Sequence, residues 1–346
     1  MIRVQPACTQ ALYTTFQILS TQILKIDRCI FQLEQIYTTS LTSWRNRIRK
    51  TCLESVRTRL LYILLPSLKK PNIAALQTAA DVQLAQFSTC VSTQAKRVSI
   101  ESDDNVQLDG VLFTHTAVAT KNRKTLVVFL GNCELWQESL DNLYWLFKNS
   151  GKDVLCCNYR GTGNSSGFPR SDSDFVTDGK NQVLSLIAKG VTPKHIVLYG
   201  KGFGGAVATL TTAGLDEEGT KVHLTNQGSF RSMLALARHT IPYFKEFFVG
   251  QLEAMRMAFD AESALTKVKG QVIVIHNDSN PQIPYPVSFN AAAREKGLKK
   301  VTFIQLDDQE FIRNHPEYIA DSSLFSHNRP FSAVEEAVLA QALQSI

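Results

Sequence analysis

The sequence predicts an α/β protein: a mostly parallel central sheet with helices on both faces, preceded by an N-terminal helical extension. Three observations predict it. Short apolar runs such as Thr125–Leu130 and Val272–His276 alternate with longer stretches of helical period from about residue 96 onward. That alternation marks parallel strands covered on both sides. Residues 8–65 contain neither Gly nor Pro. A glycine cluster, Gly200 to Gly205, directly follows the predicted strand His195–Tyr199.

A chain of 346 residues fits one large domain plus an appendage. With 44% apolar and 20% charged residues, it can bury a sizeable core and is unlike disordered or fibrous sequences. No apolar run approaches the ~18–20 residues of a bilayer-spanning helix; Leu60–Leu65 is stopped by Pro66. The first residues lack a charged segment followed by an apolar core and a cleavage site, so neither a Sec signal nor a transmembrane helix is expected. The seven cysteines form no C-x-x-C pair and have no histidines at zinc spacing. Cys156 and Cys157 fall in a predicted strand and point to opposite faces. Free thiols in a reducing, cytosolic compartment are the expectation.

The extension is assigned to residues 1–95. Ile23, Ile26, Ile30, Leu33 and Tyr37, and later Leu53, Val56, Leu60 and Ile63, recur at three and four, a helical period. Helices are predicted over about 8–38 and 43–66, ended by Pro66 and Pro71. Residues 1–71 hold eleven Lys or Arg against three acids, while the remainder holds 26 against 28. A basic amphipathic pair suits an anionic membrane surface. The competing reading packs these helices on the main domain with their charges in water. A protein partner is compatible with either. Nucleic acid is not expected, because no binding motif accompanies the charge.

The domain assigned to 96–346 begins with a strand pair, Val98–Ser102 and Gln107–His115, around Asp103-Asp104-Asn105. A buried strand, Thr125–Leu130, precedes a helix at about 134–149 and the strand Asp153–Asn158. A Gly/Ser-rich loop at 161–168 leads to a helix near 174–189, the strand His195–Tyr199 and a helix from about 203 to 213. Further strands are predicted at 221–226, 271–276 and 301–306, with a final helix at about 332–344. Residues 229–268 are helical in texture and lie between two strands, where a lid-like insertion belongs.

Four segments carry a family resemblance. Asn158-Tyr159-Arg160-Gly161-Thr162-Gly163-Asn164-Ser165-Ser166-Gly167 follows one strand. Gly200-Lys201-Gly202-Phe203-Gly204-Gly205-Ala206 follows another. His276-Asn277-Asp278-Ser279-Asn280-Pro281-Gln282-Ile283-Pro284 follows a third, and Ser326-His327-Asn328 precedes the last helix. In that order they resemble the α/β-hydrolase fold over about residues 96–346, with elbow, acid loop and histidine loop in sequence. The wording around Gly131-Asn132 and Asn158–Gly161, with the N-terminal extension, is most similar to the lipase-like effector group of Legionella and Chlamydia. That resemblance implies translocation into a host cell by a specialised secretion system.

The resemblance places Gly202 where a nucleophile should stand, Asn280 where the acid should stand, and His327 at the triad histidine. The oxyanion donors would be backbone N–H groups of Phe203 and of Asn132 and Cys133. Glycine tolerates the strained turn but offers no nucleophile. Asparagine can orient an imidazole but supplies no charge. Asp278, Asp307 and Asp308 are substitute acids, and His315 is a rival histidine. The expected function is therefore binding by a catalytically degenerate hydrolase, with no cofactor and no metal.

Two alternatives remain. The first is an active esterase or lipase with a relocated nucleophile. Ser165 sits in a literal G-x-S-x-G, but in a loop without a following helix; Cys133 lies in the oxyanion loop with nothing to lower its pKa. The second is a dinucleotide-binding enzyme, since Gly200–Gly205 also spells G-x-G-x-x-G. Against it, the next strand ends at Thr225-Asn226-Gln227 with no ribose-binding acid.

Overall fold

The computed structural model describes residues 73–89, 92–132, 134–241, 245–278, 280, 282–308, 311, 313 and 331–346. The two helices predicted at 8–38 and 43–66, and with them the basic segment, lie outside the described residues, as do Cys133, His315 and His327.

Among the described residues eight strands form one sheet, ordered β1-β2-β4-β3-β5-β6-β7-β8. The strands are β1 (Thr93–Glu101), β2 (Gln107–His115), β3 (Thr125–Phe129), β4 (Asp153–Cys157), β5 (Ile196–Lys201), β6 (His223–Gln227), β7 (Val272–His276) and β8 (Val301–Gln305). β2 runs antiparallel to β1 and to β4, and β3 to β8 are mutually parallel. The mostly parallel α/β architecture is therefore as the sequence predicts. Every residue of β3, β4 and β7 is buried, which is why these strands read as unbroken apolar runs. β1 lies at an edge and is mostly exposed, with Ala95 and Ile100 buried and Lys96 and Glu101 in solvent, where charge discourages edge-to-edge pairing. It starts five residues before the predicted Val98.

The helices are α1 (Ile73–Phe87), α2 (Leu140–Ser150), α3 (Asp172–Ala188), α4 (Phe203–Glu217), α5 (Met233–Thr240), α6 (Lys245–Ala254), α7 (Ala261–Leu265), α8 (Phe289–Glu295) and α9 (Ala333–Ser345). The sequence does not announce α1, because its alanines spread weak hydrophobicity around the whole helix. It belongs with the sheet: Phe87 stacks on Tyr144 with ring centroids 4.1 Å apart. The Ser88 hydroxyl donates to the Ala95 carbonyl at 3.0 Å and accepts the Ala95 N–H at 3.1 Å, joining α1 to β1. α5, α6 and α7 fill the region predicted as an insertion at 229–268. None of the described helices is long and apolar enough to cross a membrane.

α2 starts six residues later than predicted, because residues 131–139 have other hydrogen bonds to make. The Glu134 carboxylate accepts the Gly131 N–H at 2.9 Å. Asn158 Oδ1 accepts the Trp136 N–H at 3.0 Å. The buried Asp109 carboxylate accepts from the Trp136 indole at 2.9 Å and the Gln137 amide at 3.1 Å. The helix then ends at Gly151 (φ 66°), the left-handed C-terminal position that glycine favours.

Cys156 and Cys157 are free and fully buried, and burial pushes both thiols up. They are packing residues, not nucleophiles. The loop after β4 is fixed by Arg160, which is 1% exposed. Its guanidinium donates to Asp178 at 2.8 and 2.5 Å and to Asp104 at 2.8 Å, and Asp174 lies 3.5 Å away.

Candidate active site

The site is built where β5, β6 and β7 end. β5 stops at Lys201 and α4 begins at Phe203, so Gly202 alone makes the turn, with φ 55° and ψ −116°. A side chain at that geometry is strained by about 1–3 kcal/mol. Its neighbours must also be glycine, for a different reason. A Cβ at Gly200 would collide with the Gly204 carbonyl, and one at Gly204 with the Phe129 carbonyl. One at Gly205 would sit 2.7 Å from Ser229 Cβ. Strand, helix and β3 thus meet backbone to backbone. These contacts account for the G-x-G-x-x-G spelling without a pyrophosphate, and no observation favours the dinucleotide reading.

Gly202 and Asn280 are linked through β6. The Gly202 N–H donates to the Gln227 carbonyl at 2.8 Å, and the Gly228 N–H to the Ile275 carbonyl at 2.9 Å. Lys201, Gln227, Gly228, His276 and Asn280 line one small cleft. Asn280 is 6% exposed, and its Oδ1 accepts the N–H groups of Gln282 at 2.9 Å and Ile283 at 3.2 Å. The side chain thereby caps the tight loop that follows β7. Phe203 stands first in α4 with its ring packed edge-on to Tyr159 and Phe175, and to Phe259 of the insertion at 4.9 Å. Asn132 lies in the loop after β3.

Other candidates have contacts of their own. Ser165 Oγ donates to the Asn158 carbonyl at 3.0 Å and accepts the Asp109 N–H at 2.9 Å, so the literal G-x-S-x-G serine secures a loop to β2. Asp278 is exposed, and its carboxylate meets His276 Nδ1 at 3.0 Å and accepts from Asn290 Nδ2 at 2.9 Å. Asp307 donates its backbone N–H to Glu335 at 3.1 Å. Among the described residues no group of three or more His, Cys, Asp or Glu is placed to hold a metal.

The sequence does not disclose the His276 cluster. Arg294 NH2 lies 3.3 Å from His276 Nε2 and its guanidinium sits 4.3 Å over the Phe303 ring. Since arginine only donates, Nε2 must accept and Nδ1 carries the proton given to Asp278. The one signal is Asn290 and Arg294 four apart on α8, a helix too short to show a period. Burial is the main cause that holds His276 below the usual histidine range, with Arg294 adding to it and Asp278 opposing. The unfolded chain therefore takes up this proton at a higher pH than the folded one, and stability falls as pH drops through about 6.5. The midpoint of urea unfolding should decrease from pH 7.5 to pH 6. His276→Gln should flatten that slope whatever it does to stability at pH 7.5.

No family model matches this chain. A lysophosphatidylserine lipase (ABHD12) of Danio rerio is 24% identical over 176 residues, 47% of this chain and 46% of that protein. The protein bem46 of Schizosaccharomyces pombe is 28% identical over 149 residues, 43% and 48% of the two chains. The matches thus span about half the length of these curated relatives. Among solved structures, an esterase of Pyrococcus furiosus matches with a TM-score of 0.52 at 16% identity, covering 73% of this chain and 92% of its own. An α/β hydrolase of Vibrio vulnificus gives 0.54 at 18% identity, over 70% and 85%. Sheet order, the glycine turn after β5 and these likenesses agree: the chain has the α/β-hydrolase fold.

Proposed function

We propose that this protein is a catalytically degenerate α/β hydrolase that acts by binding, as a secreted bacterial effector, and not by serine hydrolysis. The observation that carries the reading is Gly202. The turn that presents a nucleophile in this fold is formed, with φ 55° and ψ −116°, around a residue that has no side chain. Asn280 supports it, because its carboxamide serves as a loop cap and brings no charge. The backbone N–H groups of Phe203 and Asn132 would still receive a carbonyl or an anion. The lipase and esterase names of the relatives support an ester-like ligand. The wording shared with the Legionella and Chlamydia group supports the effector role. The basic residues 1–71 support contact with an anionic membrane surface, with a protein partner as the other occupant.

The test is labelling of the pure full-length protein with a fluorophosphonate, followed by peptide mass spectrometry. No serine should be modified above the level of the unfolded control. Stoichiometric modification of one serine in the folded protein would overturn the proposal in favour of an active esterase. Ser229 is the hydroxyl to watch in that case, because it lies just after β6 beside the elbow helix.

A further inference from the structure

We infer that a small polar cleft at the ends of β6 and β7 holds one ordered water, bound by the Asn226 carboxamide oxygen and the Ser229 hydroxyl. This goes beyond the binding role proposed above and does not depend on it. Asn226 is 0% exposed and Ser229 is 3% exposed, and both line the cleft together with Gly228, Asn280, Ser288 and Asn290.

The orientation of Asn226 follows from its partners. Thr209 Oγ1 gives its proton to the Gly205 carbonyl at 2.7 Å. Asn226 Nδ2 donates to that carbonyl at 2.9 Å and to the Thr209 oxygen at 3.1 Å. Flipping the amide would set its oxygen against two acceptors, so the NH2 end is fixed there. Asn226 Oδ1 then has no hydrogen-bond partner among the described residues, and neither has Ser229 Oγ.

Two other polar side chains of the wall, Ser288 and Asn290, are already used. Ser288 Oγ donates to the Tyr285 carbonyl at 2.8 Å and accepts the Ala291 N–H at 3.1 Å. Asn290 donates to Asp278 and accepts from Arg294 Nε at 3.0 Å. Two buried polar atoms with unmet capacity face a space about the size of one water. A water can donate to Asn226 Oδ1 and exchange a second bond with Ser229. No carboxylate lines the cleft among the described residues, so a neutral water suits it better than a cation. The bound water ties the loop after β6 to the side chain that anchors the first turn of α4. It also occupies the Ser229 hydroxyl, which makes that residue a structural ligand.

The experiment is a high-resolution crystal structure of the full chain beside Ser229→Ala, with thermal unfolding of both. Asn226 is left intact, because it holds the elbow helix. The wild type should show a single solvent peak within about 3 Å of both atoms. Ser229→Ala should lose the peak and lower Tm by about 2–6 °C, while Ser229→Cys, which keeps a weak polar group, should fall between. A cleft without solvent density, or an unchanged or higher Tm in Ser229→Ala, would overturn the inference. So would fluorophosphonate modification of Ser229 in the folded protein, since a water-bound buried hydroxyl would not react.

Discussion

Gly202→Ser combined with Asn280→Asp is expected to hydrolyse p-nitrophenyl acetate, where the wild type and each single variant stay near background. Both parts of the expectation are structural. The introduced serine would enter a turn already shaped for it, at a conformational cost of about 1–3 kcal/mol that a Tm measurement would register. Aspartate at 280 would keep the two N–H contacts now made by the carboxamide oxygen, 2.9 Å from Gln282 and 3.2 Å from Ile283, so the loop need not move. An Asp-to-Asn change in a serine-protease triad costs about four orders of magnitude. The paired variant should therefore exceed Gly202→Ser alone by up to about that factor. Equal activity of Gly202→Ser and the pair would mean that another acid orients the histidine. An inert pair would mean that His327 does not reach residue 202.

Arg160→Ala is expected to be the most destabilising single substitution outside the elbow, by about 3–5 kcal/mol in urea unfolding. The guanidinium is buried and serves Asp178, Asp104 and Asp174 together. Truncation would leave the Asp178 carboxylate, itself 2% exposed, without its cation. Burial is the main cause that already raises the Asp178 carboxyl above its usual range, and the Arg160 contacts oppose it. The loss should shrink in the double variant Arg160→Met/Asp178→Leu, because removing both members of a buried pair costs less than stranding one. Arg160→Lys should recover little, since one ammonium cannot replace a fork that reaches Asp178 and Asp104 at once.

What was legible in the sequence follows the range of the interactions involved. β3, β4, β5 and β7 could be read because burial on both faces writes itself as consecutive apolar residues. The tight turn after β5 could be read because Gly200 and Gly204 meet neighbouring backbone, which leaves a glycine spacing in the sequence. The start of α2 could not, since it is set by Asp109 and Asn158, more than twenty residues away in the chain. α1 and α8 carry too little periodicity to stand out. The His276–Asp278–Arg294 cluster exists only once α8 lies along the end of β7. Ser165 shows the opposite failure, a motif legible in the sequence whose hydroxyl the fold spends on two backbone groups.

The elbow glycines have one more consequence, for how such a chain drifts over time. Gly200, Gly204 and Gly205 are required by contact with neighbouring backbone and with Ser229, whichever residue stands at 202. Selection for folding alone is then enough to preserve three of the four glycines, together with the strand and helix on either side. A lineage that stopped needing the reaction would keep the outward signature of a hydrolase for as long as it needed the sheet. Position 202 would be the one letter of that signature free to record the change.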